Sequence, residues 1–138
     1  MTDASRRHFV KSASLLGATA AMSEVVAAQS LDAQLPQLVH MVYFWLKRPD
    51  SRTDRDELIA GLKALGKIPE IKALHIGIPA STEKREVVDN SFQVSEMMLF
   101  SDVQAQNTYQ SHPLHRQFIK DCEHLWERVV VYDSIAVD

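Results

Sequence analysis

The run QLVHMVYFWLK, Gln37 to Lys47, is apolar on both of its faces. Its β-branched and aromatic residues predict a strand. Alternation puts Leu38, His40, Val42, Phe44 and Leu46 on one side and Val39, Met41, Tyr43 and Trp45 on the other. Such a strand has to be covered twice. The closing run RVVVYDSIAV is nearly the same, with Val129, Val131 and Ile135 against Val130, Tyr132 and Ala136.

The elements between these runs set the fold class. RPDSRTDRDE reads as a turn and a helix start, with Thr53 as N-cap, Asp56 three residues on and acids in the first turn. Leu58, Leu62 and Leu65 share a helix face flanked by Ile59, and Gly66 with Pro69 predicts its end. EIKALHIGIPA is a second strand ended by Pro79, and residues 80–90 are a polar loop. Ser91 to Phe100 is a third strand, in which Phe92, Val94, Met98 and Phe100 share a face and Glu96 falls among them. Glu96 reads as a lone intruder, placed at a strand end or paired with Arg or Lys. A helix follows from Asp102, pauses near Pro113 and runs to about Glu127, with Leu114, Phe118, Cys122 and Leu125 as its stripe. The order β-α-β-β-α-β is the ferredoxin-like, α+β arrangement.

Four strands form one sheet, and two helices cover one of its faces. An antiparallel sheet facing water alternates to polar on that side. This one does not, so the second face needs cover, since an apolar patch of that size is a liability on a monomer. The simplest cover is a second copy about a two-fold axis, a homodimer forming an α+β barrel. A different protein or a lipid-like ligand is the competing cover.

The chain has 138 residues and a net charge of −3, with charges of both signs mixed along it. That length suits one domain with an appendage. No basic stripe tracks a phosphate backbone, which argues against nucleic acid as a partner. Cys122 is the single cysteine, so there is no intramolecular disulfide and no zinc site built on several thiolates. No cofactor is called for.

The first residues, MTDASRRHFVKSASLLGATAAMSEVVAAQS, have a charged start, an apolar middle and a small-residue end. This is the layout of a signal peptide. Arg6 and Arg7, followed by Phe9 and Lys11, resemble the twin-arginine export signal. Residues 1–28 are read as that signal, cleaved after Val26-Ala27-Ala28, residues 29–36 as a linker and residues 37–138 as the mature domain. The expected location is periplasmic or secreted, without a stable membrane span after cleavage. A disordered basic tail is the alternative.

YQSHPLH, Tyr109 to His115, is the chemically densest stretch. Pro113 suits a first helical turn, which puts His112 at the cap. His115 borders the apolar stripe, three residues before Phe118. Tyr109 reaches the same space if the chain bends at Pro113. A near-neutral imidazole can remove a proton beside a carbonyl, and a phenol can bond the oxygen on which charge develops. In the competing account His112 caps, Tyr109 packs and His115 bonds a backbone carbonyl in a closed core. His40 reads as a core or pocket-lining histidine, and His75 as a pocket-rim candidate. His112, His115, Glu123 and His124 cluster in sequence, but His115 and His124 stand about 13 Å apart along one helix. No metal site is assigned. Trp45 and Trp126 are core or interface anchors.

LVHMVYFWLK, IPEIKALHIGIP, YQSHPLHRQF and WERVVVYDSI together resemble the stress-responsive A/B-barrel (Dabb) family over about residues 37–135. The Tyr-x-x-His-Pro-x-His element is the most specific part. The resemblance implies a dimeric α+β barrel. Some members are plant stress proteins without an assigned reaction, and some are small polyketide cyclases. In the cyclases a Tyr and the second His of this element act in an aldol closure, at positions matching Tyr109 and His115, while the first-strand His matches His40. This chain departs from the cyclases in other pocket residues and in its export signal.

The expectation is an exported homodimer with a small apolar pocket between sheet and helices. Tyr109 and His115 are the expected catalytic residues of proton transfer on a small carbonyl or aromatic compound, and His40, His75 and His112 are expected to bind ligand. The alternatives are a non-catalytic stress-response or ligand-binding module and a cofactor-free monooxygenase-like barrel.

Overall fold

A computed structural model describes residues 35–138. The proposed signal (1–28) and nearly all of the proposed linker (29–36) therefore lie outside the described residues. The chain forms β1 (Leu38–Leu46), α1 (Arg52–Ala64), β2 (Ala73–Gly77), β3 (Val94–Phe100), α2 (Val103–Ser111), α3 (Pro113–Cys122) and β4 (Trp126–Ile135). The sheet order is β2-β3-β1-β4, with every neighbouring pair antiparallel. This is the ferredoxin-like α+β fold expected from the strand pattern, with the second helix divided in two.

β1 lies at the centre and buries alternate residues, so Leu38, His40, Val42, Phe44 and Leu46 face the helices. From α1, Leu58 and Leu62 are fully buried, and Leu65 follows in the 3-10 turn Leu65–Lys67. Val94, Met98 and Phe100 of β3 complete this core with Phe118, Cys122 and Leu125. Truncating a leucine in such a core to alanine costs roughly 2–5 kcal/mol.

Several expectations are corrected at the ends of elements. The N-cap of α1 is Ser51, not Thr53, and its hydroxyl accepts from the Asp54 N–H at 3.2 Å. Asp54 itself is buried and takes two hydrogen bonds from Arg48, at 2.8 and 2.5 Å. The Arg48 bond holds the Asp54 carboxyl below its usual range, which fixes the turn to the helix start. α1 ends through the 3-10 turn rather than a left-handed glycine, since no glycine among the described residues has a positive φ. β3 starts at Val94, so Phe92 lies outside it and packs on Tyr43 at 4.9 Å, on the face away from the helices.

α3 ends at Cys122, and β4 begins at Trp126 after a single 3-10 turn, several residues earlier than the expected helix end. Leu114 is 39 % exposed, and the buried stripe runs through His115, Phe118 and Cys122 instead.

The helix-free face carries Val39, Met41, Tyr43 and Trp45, each half-buried. Trp45 lies under the Arg128 guanidinium, 4.4 Å from the ring centre. Met41, Tyr43, Trp45, Val87, Phe92 and Tyr132 line a groove of about 490 Å³ on this side. Tyr132 is 62 % and Val87 81 % exposed. The two-sided greasiness of β1 is thus visible in the fold. No helix among the described residues is long and apolar enough to cross a membrane.

Candidate functional site

Between the sheet and helices α2 and α3 lies a cavity of about 170 Å³. Apolar walls include Val42, Phe44, Phe118, Ile119, Trp126 and Val129; the titratable groups are His40, Glu96, Tyr109, His115 and Asp133, and Gln106 and Gln110 add two amides.

The break at residue 112 builds the site. His112 adopts extended backbone (φ −64°, ψ 140°), and its Nδ1 accepts from the Leu114 N–H at 3.0 Å. Pro113 then starts α3 with its φ preset and no N–H to satisfy. The turn brings the rings of Tyr109 and His115 edge to face at 4.8 Å. The His40 ring lies 5.9 Å from Tyr109 on its other side. Tyr109 is only 2 % exposed.

His40 is fixed from the far strand. Its Nδ1 donates to Asp133 Oδ1 at 2.5 Å, between directly paired residues of β1 and β4. Orienting an imidazole through one nitrogen leaves the other to face the cavity.

Burial sets the protonation of the other groups. It pulls the His115 pKa below its ordinary value; the backbone of Gln110 opposes this and His40 reinforces it. His115 is therefore a neutral imidazole at pH 7. Burial, then the nearby Glu96, pushes the Tyr109 phenol well above its usual range, so it keeps its proton. Burial alone raises the Glu96 carboxyl to about 8.

Glu96 is the group that sequence reasoning misjudged. It sits mid-strand in β3, opposite Val42 on one side and Ile76 on the other, and is 3 % exposed. It is neither at a strand end nor paired with Arg or Lys, and its Oε1 has no hydrogen-bond partner. An unsatisfied buried polar atom costs roughly 1–3 kcal/mol. The signal was present in its parity with Val94 and Met98, but its lack of a partner could not be read from the sequence. Asp133 was missed because its pairing with His40 spans 93 positions.

Of the expected site residues, His40, Tyr109 and His115 are brought together. His75 is not: it pairs with Met97 on the helix-free side of edge strand β2 and is exposed. His112 caps α3 and does not line the cavity. Among the described residues no three His, Cys, Asp or Glu side chains converge on a metal-sized site. His124 instead lies 3.9 Å from Glu57 on the surface.

The sequence profile of the stress-responsive A/B barrel domain matches residues 38–136. This chain belongs to that family. No functionally curated protein matches this A/B-barrel chain. Among solved structures, a Dabb family protein with a ferredoxin-like fold from Mesorhizobium loti is similar to it, with 20 % identity, 74 % of this chain and 98 % of that one covered, and a TM-score of 0.61. A dimeric ferredoxin-like protein of unknown function from Thermobifida fusca gives 17 % identity, 75 % and 93 % coverage and 0.59. The hydroxynitrile lyase from Passiflora edulis gives 25 % identity, 75 % and 96 % coverage and 0.62. The ferredoxin-like fold is thus shared with proteins described as dimeric and with one described as a hydroxynitrile lyase.

Proposed function

We propose that this A/B-barrel protein is a proton-transfer catalyst of the lyase, isomerase or cyclase type, acting on a small carbonyl or aromatic compound. The observation that carries the reading is the Tyr109–His115 pair, ring centres 4.8 Å apart, on the wall of a partly open cavity with apolar walls. His115 is the base. As a neutral imidazole it accepts a proton from the carbon or hydroxyl beside the reacting carbonyl. Tyr109 is the donor: a phenol that stays protonated bonds the oxygen on which negative charge gathers. His40, held by Asp133, orients the substrate from the sheet side. The similarity to a hydroxynitrile lyase supports this class, because cleaving a cyanohydrin also starts with loss of a hydroxyl proton.

The catalyst acts as a homodimer in this reading. Support comes from the exposed apolar groove around Tyr43 and Tyr132 and from relatives described as dimeric. The first 28 residues direct export by the twin-arginine route to the periplasm or beyond, on the strength of Arg6, Arg7, Phe9 and Lys11.

The deciding experiment screens the purified chain against small aldehydes, ketones and cyanohydrins, beside His115→Ala. Turnover that falls at least ~100-fold in the variant agrees with general-base catalysis. Equal turnover removes His115 from the mechanism, and ligand binding without turnover in either protein leaves a binding module instead.

A further inference from the structure

Glu96 is the one titratable group lining the cavity that the proton transfer above does not use. It projects from the centre of the sheet, is 3 % exposed, and leaves Oε1 without a partner beside the space enclosed by Tyr109 and His115. A carboxyl with only a packing role is normally bonded by the fold around it. This one is left for something that enters.

We propose that Glu96 is a substrate-binding acid, donating a hydrogen bond to an oxygen of the bound molecule and making the cavity selective for small uncharged aldehydes or ketones. The inference rests on reading the cavity as the reaction site.

Three features of the site support it. A volume of about 170 Å³ is close to that of a cavity known to hold benzene, at ~150 Å³, so a single ring with one carbonyl fits. The titratable groups that line the cavity with Glu96 are Tyr109 of α2, His115 of α3, His40 of β1 and Asp133 of β4; no residue of α1 lines it, and the buried Asp54 of α1 is held by Arg48. None of these is an unpaired cation that would keep Glu96 ionised. Asp133 is occupied by His40, and no arginine or lysine lines the cavity. A carboxyl raised to about 8 is in its acid form at neutral pH and can donate. With the Tyr109 phenol it supplies two donors for one carbonyl oxygen, and no proton leaves Glu96.

The test compares two probes of similar size by titration calorimetry, acetophenone with a carbonyl and toluene without one. In Glu96→Leu acetophenone binds about tenfold more weakly, the loss of one buried hydrogen bond, while toluene holds or tightens. In Glu96→Gln, whose amide still donates, acetophenone binding at pH 7 stays within about threefold. Wild-type affinity for acetophenone falls as pH rises through about 8, and in Glu96→Gln that fall disappears. Equal changes for both probes in Glu96→Leu, or a pH dependence that survives Glu96→Gln, overturn the proposal. Failure of both probes to bind the wild-type chain overturns it together with the cavity as a ligand site. The predicted probe pattern, with turnover unaffected by His115→Ala, supports Glu96 as the binding acid and removes only the proton-transfer reading.

Discussion

The rings of Tyr109 and His115 meet at 4.8 Å although they belong to different helices. A continuous helix would turn six residues through about 600°, placing them on opposing flanks. The extended His112 and the helical start at Pro113 cancel that rotation. The chemistry of the site therefore depends on a main-chain break. Replacing Pro113 by alanine removes the preset φ without removing the His112 cap. Activity on any substrate found should drop several-fold while thermal unfolding shifts by about 1 kcal/mol or less. Steady-state rates and a melting curve on the same sample check this.

Glu96 makes stability depend on pH in an unusual direction. Its folded pKa, about 8, lies above its ordinary value of 4.5. Between these values the folded chain holds a proton that the unfolded chain has lost, so stability falls as pH rises across the window and levels off above about 8. The full contribution is present below 4.5. Glu96→Gln removes the dependence. The variant should be more stable than wild type at pH 8–9, by an amount on the order of a few kcal/mol, with the gap closing toward pH 5. Denaturant midpoints at three pH values measure it; a constant gap would show that Glu96 does not titrate in the fold.

Much of this was legible in the sequence. The alternation in β1 fixes His40 on the buried face beside Val42, and the spacing from His115 to Phe118 puts the second histidine on the same interior. Both follow from the period of a single element. What was lost depends on contacts between elements. Ser51 and Thr53 are both residue types that cap helices, and Ser51 is the one that caps the helix in which Asp54 answers Arg48. Phe92 shares parity with Val94, yet it leaves the sheet before parity applies. Asp133 and the orphaned Glu96 become meaningful only when β4 and β3 lie on either side of β1.

Gly61 of α1 is a packing constraint where that helix meets α3. A Cβ there would stand 2.6 Å from Cys122 Sγ and 3.2 Å from the Phe118 ring. Gly61→Ala should cost roughly 1–3 kcal/mol through overpacking, despite the better helix propensity of alanine. Cys122→Ala opens room for that methyl. The double variant should be more stable than the sum of the single losses, and a double-mutant cycle from denaturant unfolding reads the coupling.

His75 and His40 offer an internal control. His75 is exposed on the edge strand, on the other side of the sheet from the cavity. His75→Ala should leave ligand affinity and turnover unchanged. Asp133→Asn keeps a polar partner near His40 but removes the charge that fixes its ring. It should weaken ligand binding or turnover by about tenfold with little change in the melting temperature, since Asp133 is half-exposed. A loss at His75 equal to the loss at Asp133 would mean that the cavity is not where the ligand sits.

The groove around Tyr43 and Tyr132 tests the assembly. The two rings stand 6.1 Å apart, and Phe92 packs on the first at 4.9 Å. Tyr132 is 62 % exposed in the single chain, an arrangement expected of an interface anchor waiting for its counterpart. Sedimentation of the wild-type chain at micromolar concentration should give a dimer. Tyr132→Arg buries a charge in a contact made over this groove, and a two-fold contact would bury it twice, so desolvation opposes assembly. The variant should sediment as a monomer and retain its strand and helix content by circular dichroism. A wild-type monomer would mean that the groove is covered by something other than a second copy, and a dimer that survives Tyr132→Arg would place the contact elsewhere on the sheet.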